Sequence, residues 1–308
     1  MTCADRTGRF DHRTGADQRR AVAYAGCVRL GISASRVLDD RDRDEVLELL
    51  DTDPITNVFV AARVRTVGLN PARLGGQMWG YGPRGRLVSL CYAGANMVPV
   101  NATPEAVQAF AERARRQGRR CSSIVGPSEA VRQLWERLEP HWGKARAIRW
   151  VQPVMATSSA PPVKPDPRVR RVRPEELPIL LPACIAMFTE EIGVPPDNGD
   201  GGALYRSRVA ELIRIGRSYA RIDDGKVVFK AEIGAVTPHA CQIQGVWVHP
   251  EMRGRGHAVA GMAAVVEEAL KHFAPVVTLY VNDFNLPARA AYRKVGFKEV
   301  GTFTSVLF

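Results

Sequence analysis

The residues with the clearest chemical potential form a loop from Arg253 to Ala258, with the sequence RGRGHA. A predicted strand, Cys241 to His249, precedes it, and a predicted helix from Gly256 to Phe273 follows at once. The free N–H groups and the dipole at a helix start favour an anion. Glycines let the backbone approach such a ligand, and arginines add charged donors. The loop predicts a phosphate or pyrophosphate site, with an unliganded strand–helix turn as the alternative.

A second chemical group follows on the predicted helix from Leu286 to Val295, which places Tyr292 between Asn285 and the Gly296-Phe297 pair. A phenol on a rigid helix can donate a proton to a leaving group. The order of the residues is Asn-x-x-Ala-x-x-x-Tyr-x-x-x-Gly-Phe. This second segment is independent of the glycine loop and lies in the same half of the chain.

The two segments together resemble the GCN5-related N-acetyltransferase (GNAT) family. The loop is similar to that family's acetyl-CoA signature, Gln/Arg-x-x-Gly-x-Gly/Ala, through Arg253, Gly256 and Ala258. The resemblance covers roughly residues 168–308. It implies the acyl-CoA N-acyltransferase (GNAT) fold, acetyl-CoA as co-substrate, no metal, and acetyl transfer to a primary amine.

The resemblance also implies roles for individual residues. Tyr292 is the candidate general acid for the leaving thiolate, and packing against the cofactor is its alternative role. Asn285 would hold the pantetheine arm or the loop, or would only cap the helix. The implied cofactor-binding residues are Val246, Trp247, Val248, Arg253, Gly254, Arg255, Gly256, His257, Ala258 and Asn285.

The general base is where the sequence departs from the family. Many members carry a Glu on the strand before the loop, and here that strand carries Gln242 and Gln244. Glu232 on the neighbouring predicted strand is the nearest acidic residue and becomes the second catalytic candidate. Strand alternation puts it on the same face as Lys230. A solvent-facing Glu232 is the alternative.

The predicted elements that position these residues alternate between strands and helices behind a hairpin, which indicates an α/β fold with a mixed (α+β) sheet. A proline-rich stretch divides the chain. We therefore predict two tandem copies of the fold, because both halves show the same order of elements. The ranges are a disordered extension at 1–32, a degenerate GNAT-like domain at 33–155, a linker at 156–167 and an acetyl-CoA-binding domain at 168–308.

The N-terminal copy lacks the chemistry of the loop. Val98 to Val100 falls opposite Val246 to Val248, and the segment that follows has neither the arginine nor the glycines. Glu105 would oppose a phosphate there. This half is predicted to have lost cofactor binding.

Composition sets the remaining expectations. The net charge of +11 is spread along the chain, so a basic nucleic-acid-binding protein is an alternative without a supporting motif. A non-catalytic acyl-CoA-binding regulator is the other alternative. Six scattered cysteines favour the cytoplasm over a disulfide framework. No apolar run is long enough to predict a membrane helix. The expected acetyl acceptor is an amine of a small molecule, a protein or a peptide.

Overall fold

The computed structural model describes residues 35–196 and 199–308. The predicted disordered extension at 1–32 lies outside the described residues. No helix within the described ranges is long and apolar enough to cross a membrane. Residues Ser33–Phe308 cluster as one unit, and contacts between its two halves are part of the fold.

Strands supply the frame of the described chain. They are β1 (Arg36–Val37), β2 (Gly76–Tyr81), β3 (Ser89–Gly94), β4 (Asn96–Val100), β5 (Ser123–Pro127), β6 (Ala147–Thr157), β7 (Arg170–Arg171), β8 (Ser218–Asp223), β9 (Lys226–Val236), β10 (Cys241–Val248), β11 (Val277–Tyr280) and β12 (Lys298–Leu307).

Helices cover both faces of these strands. They are α1 (Arg43–Asp51), α2 (Val58–Val67), α3 (Pro71–Leu74), α4 (Pro104–Gln117), α5 (Ser128–Trp142), α6 (Leu177–Ile192), α7 (Ala203–Arg214), α8 (His257–His272) and α9 (Leu286–Val295).

The strands form one twelve-stranded mixed sheet in the order β1-β2-β3-β4-β5-β12-β6-β11-β10-β9-β8-β7. Only the pairs β4–β5 and β10–β11 are parallel among the described ladders, and the rest are antiparallel. Each half contributes one parallel pair at the matching place. The predicted α/β fold with a mixed sheet is confirmed.

The last strand of each half is exchanged. β12, at the C-terminus, pairs with β5 of the N-terminal half, while β6 pairs with β11 of the C-terminal half. β6 and β12 also pair with each other and join the two sheets. Neither predicted domain contains all of its own strands, so the ranges 33–155 and 168–308 stay a proposal about ancestry and function.

Apolar side chains fill both faces of the sheet. In the C-terminal half, α8 and α9 pack over Phe229, Ala231 and Ile233, and α6 and α7 pack over the opposite face around Ala220 and Val227. The alternation of inward residues along β9 puts Lys230 and Glu232 on the α6 side. Two separate cores therefore enclose the C-terminal end of the sheet. The four described cysteines are free and buried, as the prediction of small apolar behaviour requires: Cys91, Cys121, Cys184 and Cys241.

Three predicted elements differ from the structure. β6 continues two residues into the predicted linker because Ala156 and Thr157 pair with β11. The sequence predicts a helix over Ser128 to Leu138, and α5 continues beyond it through Pro140 to Trp142. Pro140 lies in the last turn, where the loss of one hydrogen bond is tolerated. The sequence also predicts a strand over Arg168 to Arg173, of which the structure has only the two residues of β7.

Candidate active site

A bulge in β10 shapes the centre of the site. Register with β9 jumps from Gln244 to Trp247, so Gly245 and Val246 have no partner residue on β9. Gly245 adopts φ +61°, and a Cβ added there would lie 3.1 Å from the Glu232 carboxyl carbon and 3.2 Å from Lys230 Nζ. Only glycine satisfies both conditions. The bulge re-aims the backbone around Val246, as bulges commonly do next to active sites.

The parallel strands β10 and β11 separate beyond the bulge. They pair only at Cys241–Val277 and Gln242–Thr278, while β10 continues to Val248. The strands therefore open a cleft along the second half of β10. Val246 and Val248 lie along it, partly buried against the α8–α9 core. The backbone of these residues can hydrogen-bond an extended ligand in the cleft.

The glycine loop closes one end of this cleft. Gly254 and Gly256 adopt φ +77° and +83°, the left-handed region that costs other residues about 1–2 kcal/mol. A Cβ at either position would meet nothing within 4 Å, so the conformation requires glycine and the space beside it is open. No backbone acceptor is found, among the described residues, for the N–H groups of residues 254 to 258. Ala258 therefore lies within the first turn of α8, whose N–H groups are available to an anion.

Arg253 makes its hydrogen bonds outside the loop. Its guanidinium donates to Glu190 Oε2 at 2.7 Å, and its Nε donates to the Val248 carbonyl oxygen at 3.1 Å. Glu190 Oε1 accepts from the Trp247 indole N–H at 3.1 Å. Glu190, on α6, thus joins the loop to β10. Arg255 is exposed and contacts Met252 Sδ at 3.5 Å.

His257, the first residue of α8, contacts a buried charged network next to the loop. The Nδ1 of His257 lies 3.2 Å from Arg221 Nη1, and Arg221 Nη1 also donates to Asp166 Oδ2 at 3.0 Å. Burial, followed by the charge of Arg221, lowers the pKa of His257, so the ring is neutral at pH 7. The nearly buried Arg221 also pairs with Asp223. This network ties Asp166, in the predicted linker, to the start of α8.

Glu232 is buried, so its solvent-facing alternative is wrong. Its Oε1 accepts from Lys230 Nζ at 2.7 Å and faces the Cys184 thiol at 3.7 Å. Its Oε2 accepts only a longer contact from Gln244 Nε2 at 3.3 Å. Burial, the largest single contribution, would lower the pKa of Lys230, but the charge of Glu232 acts together with Cys184 and the hydrogen bonds to both groups, and these hold that pKa above its usual value. Lys230 is fully buried and stays protonated, which places an ion pair beneath the bulge.

Tyr292 and Asn285 lie on opposite ends of α9. Tyr292 is 7% exposed and packs in the α8–α9 core beside Phe297, with ring centroids 6.0 Å apart. Burial, with a smaller contribution from the charge of Glu191, raises the pKa of Tyr292. The Asn285 side chain accepts from the Ala288 N–H at 3.2 Å, which makes it the helix cap. The capping alternative thus describes the contact that Asn285 makes here.

The same position in the N-terminal half has different chemistry. β4 and β5 also pair at only two positions, Asn96–Ser123 and Met97–Ile124. Beyond them Pro99, which has no N–H, lies against Gly126: a Cβ there would be 3.5 Å from Pro99 Cδ. The Thr103 hydroxyl caps α4, accepting from the Ala106 N–H at 3.3 Å. Within the described residues, this half has the same short parallel pairing, with a proline at the matching strand position and a side-chain cap at the helix start.

A carboxylate also occupies the start of α4. Hydrogen bonds from its own backbone and from Thr103 lower the pKa of Glu105, which is therefore ionised in the first turn of the helix. The dipole of that helix is already compensated by this charge. A negative charge in the first turn of α4 disfavours an anion at this helix start.

Three residues of the site were missed by sequence reasoning: Glu190, Arg221 and Lys230. Charged side chains in a strand or helix are usually solvated, and nothing in the spacing marks these as buried or paired. Lys230 did share a predicted strand face with Glu232. Whether that face is buried depends on how α6 packs against it, and the sequence pattern does not show this.

Comparisons of the fold identify its class. An acetyltransferase of the GNAT family from Colwellia psychrerythraea aligns with 89% of this chain and 99% of its own, at 12% identity and a TM-score of 0.54. A Drosophila protein aligns with 89% and 98%, at 15% identity and a TM-score of 0.61. A tandem GNAT protein from the clavulanic acid biosynthesis pathway aligns with 89% and 98%, at 16% identity and a TM-score of 0.50. The chain has the acyl-CoA N-acyltransferase fold, and the alignments span both halves.

Sequence families then identify the second half. Residues 200–297 match the acetyltransferase (GNAT) family. Residues 76–180 match a domain of unknown function (DUF4081), whose span crosses the predicted linker. No curated protein matches the chain by sequence. The predicted GNAT fold is confirmed, and the match to the GNAT family ends just before the exchanged strand β12.

Proposed function

We propose that residues 168–308 transfer an acetyl group from acetyl-CoA to a primary amine. The observation that carries this proposal is the loop from Gly254 to Ala258, where two left-handed glycines and free N–H groups face open space beside the cleft of β10. The membership of residues 200–297 in the GNAT family supports the same reaction class. Residues 33–155 act as a partner that has lost cofactor binding.

In this proposal the amine nitrogen attacks the thioester carbonyl carbon while the cleft holds the acetyl group. The Val246 N–H, released from pairing by the bulge, donates to the carbonyl oxygen as negative charge develops on it. The C–S bond then breaks and the thiolate takes a proton from the Tyr292 hydroxyl. Tyr292 then regains a proton from solvent, and Glu232 returns to solvent the proton it took from the amine, so the net products are the amide and CoA.

Glu232 receives the proton that the amine loses in this scheme. Its Oε2 is the better acceptor because Oε1 already binds Lys230, whereas Oε2 has only the long contact from Gln244. The hydrogen bond from Lys230 holds the carboxylate in place. Glu232 is paired with the strand position that carries Gln244 in place of the family's Glu. In this scheme the general base lies on β9, on the strand next to the one that carries the glutamate in many family members.

The direct test measures the release of CoA from acetyl-CoA in the presence of amines. We expect free thiol from acetyl-CoA with at least one of three acceptor types, namely peptide N-termini, lysine side chains and small polyamines. If acetyl-CoA binds but CoA release stays at background with every acceptor type, acetyl transfer is refuted. That result would favour a non-catalytic acyl-CoA-binding regulator.

Tyr292→Phe tests the acid directly. We expect kcat to fall by about 100-fold, the lower range for a lost general acid, while the Kd for acetyl-CoA is unchanged. Because burial raises the pKa of Tyr292, the phenol keeps its proton up to at least about pH 10, and wild-type kcat should show no alkaline loss from this group below that pH. Equal kcat in both proteins would leave Tyr292 with a packing role only.

A further inference from the structure

The N-terminal half contains a cleft of about 520 Å³ that the acetyl-transfer proposal does not use. It lies where β4 and β5 end, at Asn101 and Pro127, and next to the first turns of α4 and α5. Val154 of β6 and Phe303 of β12 form a buried apolar wall. This volume is typical of small-molecule sites, which lie between about 300 and 1,000 Å³.

The lining has a definite charge. Asp53 and Glu129 contribute carboxylates, and no lysine, arginine or histidine lines the cleft within the described part of the chain. Asp53 accepts the Thr56 N–H through Oδ1 at 3.0 Å, and Glu129 accepts from Gln133 through Oε1 at 2.7 Å. Each carboxylate keeps a second oxygen that has no partner among the described contacts. In a chain of net charge +11, a pocket with two carboxylates and no cation is a local reversal.

These features exclude a second acyl-CoA. Pro99 fills the strand opening beside Gly126, Thr103 caps α4, and the Glu105 carboxylate adds a third negative charge near the pocket. A pyrophosphate would meet these carboxylates without a compensating arginine. A ligand with a positive end and an apolar body instead satisfies both the acidic rim and the apolar wall.

We propose that this cleft binds a small organic cation, an amine with an aromatic or branched apolar body. The ammonium group donates to the free oxygens of Asp53 and Glu129, and the body lies against Val154 and Phe303. Strand exchange makes the C-terminal half part of this site, because Phe303 belongs to β12. The proposal does not depend on acetyl transfer by the other half.

The test is calorimetric titration of the full chain with tryptamine in the absence of acetyl-CoA. Tryptophol, which has the same ring and a hydroxyl in place of the amine, is the neutral comparison. We expect tryptamine to bind at least tenfold more tightly than tryptophol. The double variant Asp53→Asn, Glu129→Gln should remove that preference and leave tryptophol affinity within twofold. Equal affinity for both ligands in the wild type would overturn the proposal.

A second variant separates this cleft from the acceptor site of the other half. Val300, 52% exposed at the mouth of the cleft, tolerates a larger side chain, so Val300→Trp should fill the space without disturbing the core. We expect it to weaken tryptamine binding at least tenfold and to leave the Kd of acetyl-CoA unchanged. Wild-type tryptamine affinity in a folded Val300→Trp protein would place the amine elsewhere and contradict the proposal.

Discussion

The two halves of the sheet have the same topology and opposite chemistry. In both, a parallel pair of strands holds for two residues and then opens. In the C-terminal half the opening leads to left-handed glycines and free N–H groups, whereas in the N-terminal half Pro99 fills it and Thr103 and Glu105 occupy the helix start. The fold therefore supplies a cleft, and a few backbone-defining residues decide whether the cleft accepts an anion.

The interiors differ as well. Trp247 pairs with Lys230 on the neighbouring strand, and Pro99, at the matching place, pairs with Cys91. The C-terminal half thus buries an ion pair beside the bulge where the other half buries a thiol. Buried pairs carry a desolvation cost that an apolar residue avoids. The proposed function gives a reason for this cost in the C-terminal half, because there Glu232 takes the proton that the amine loses.

The largest expected effect concerns the independence of the halves. A chain ending at Phe297 lacks β12, which lies between β5 and β6. We expect both halves to unfold, because the loss of a central strand exceeds the ~5–15 kcal/mol stability of an ordinary domain. Circular dichroism and thermal melts of the truncated chain would measure this loss.

Cleavage of the connecting segment is the control. Residues 158–160 are exposed, and a protease site introduced there would cut the chain and leave every ladder intact. The two fragments should elute together from a sizing column without denaturant. Fragments that separate, or a truncated chain with a native melt, would show that the halves are independent domains.

The second effect is the cost of breaking the buried pair. Lys230→Met leaves Glu232 as an unpaired charge at 6% exposure, and we expect the free energy of unfolding to fall by about 3–5 kcal/mol. Urea unfolding would measure it. The double change Lys230→Met, Glu232→Leu should recover most of the loss. Cys91→Val at the matching place should cost less than roughly 1.5 kcal/mol, and an equal loss at both positions would contradict the contrast between the interiors.

Sequence reasoning succeeded where a local pattern carries its own physics. Gly256 next to a predicted strand and helix signals an anion site because the required backbone shape is local. It failed for the exchange of β6 and β12, since alternation predicts a strand and says nothing about its neighbour. It also missed the burial of Lys230, because the depth of that position depends on the packing of α6, a long-range contact.

The third effect concerns the loop itself. Gly256→Ala forces a side chain into φ +83°, at a strain of about 1–2 kcal/mol, so the Kd of acetyl-CoA should rise roughly tenfold. Asn101→Ala is the matched variant, since Asn101 follows β4 with φ +46°. It should leave that Kd unchanged. Calorimetry on both variants decides, and similar weakening in the two would mean that both halves take part in cofactor binding.

The smallest effect concerns the ion pair between Arg253 and Glu190. Glu190 and Arg253 are each about half exposed, and such a pair is worth about 0.5 kcal/mol. An incoming pyrophosphate must compete with Glu190 for the guanidinium. Glu190→Gln keeps the shape and removes the charge, so acetyl-CoA should bind roughly twofold more tightly. Glu191→Gln is the control, because Glu191 pairs with Arg149 at 3.5 Å. If the Glu190 variant binds acetyl-CoA no more tightly than this control, Arg253 does not leave Glu190 to bind the pyrophosphate.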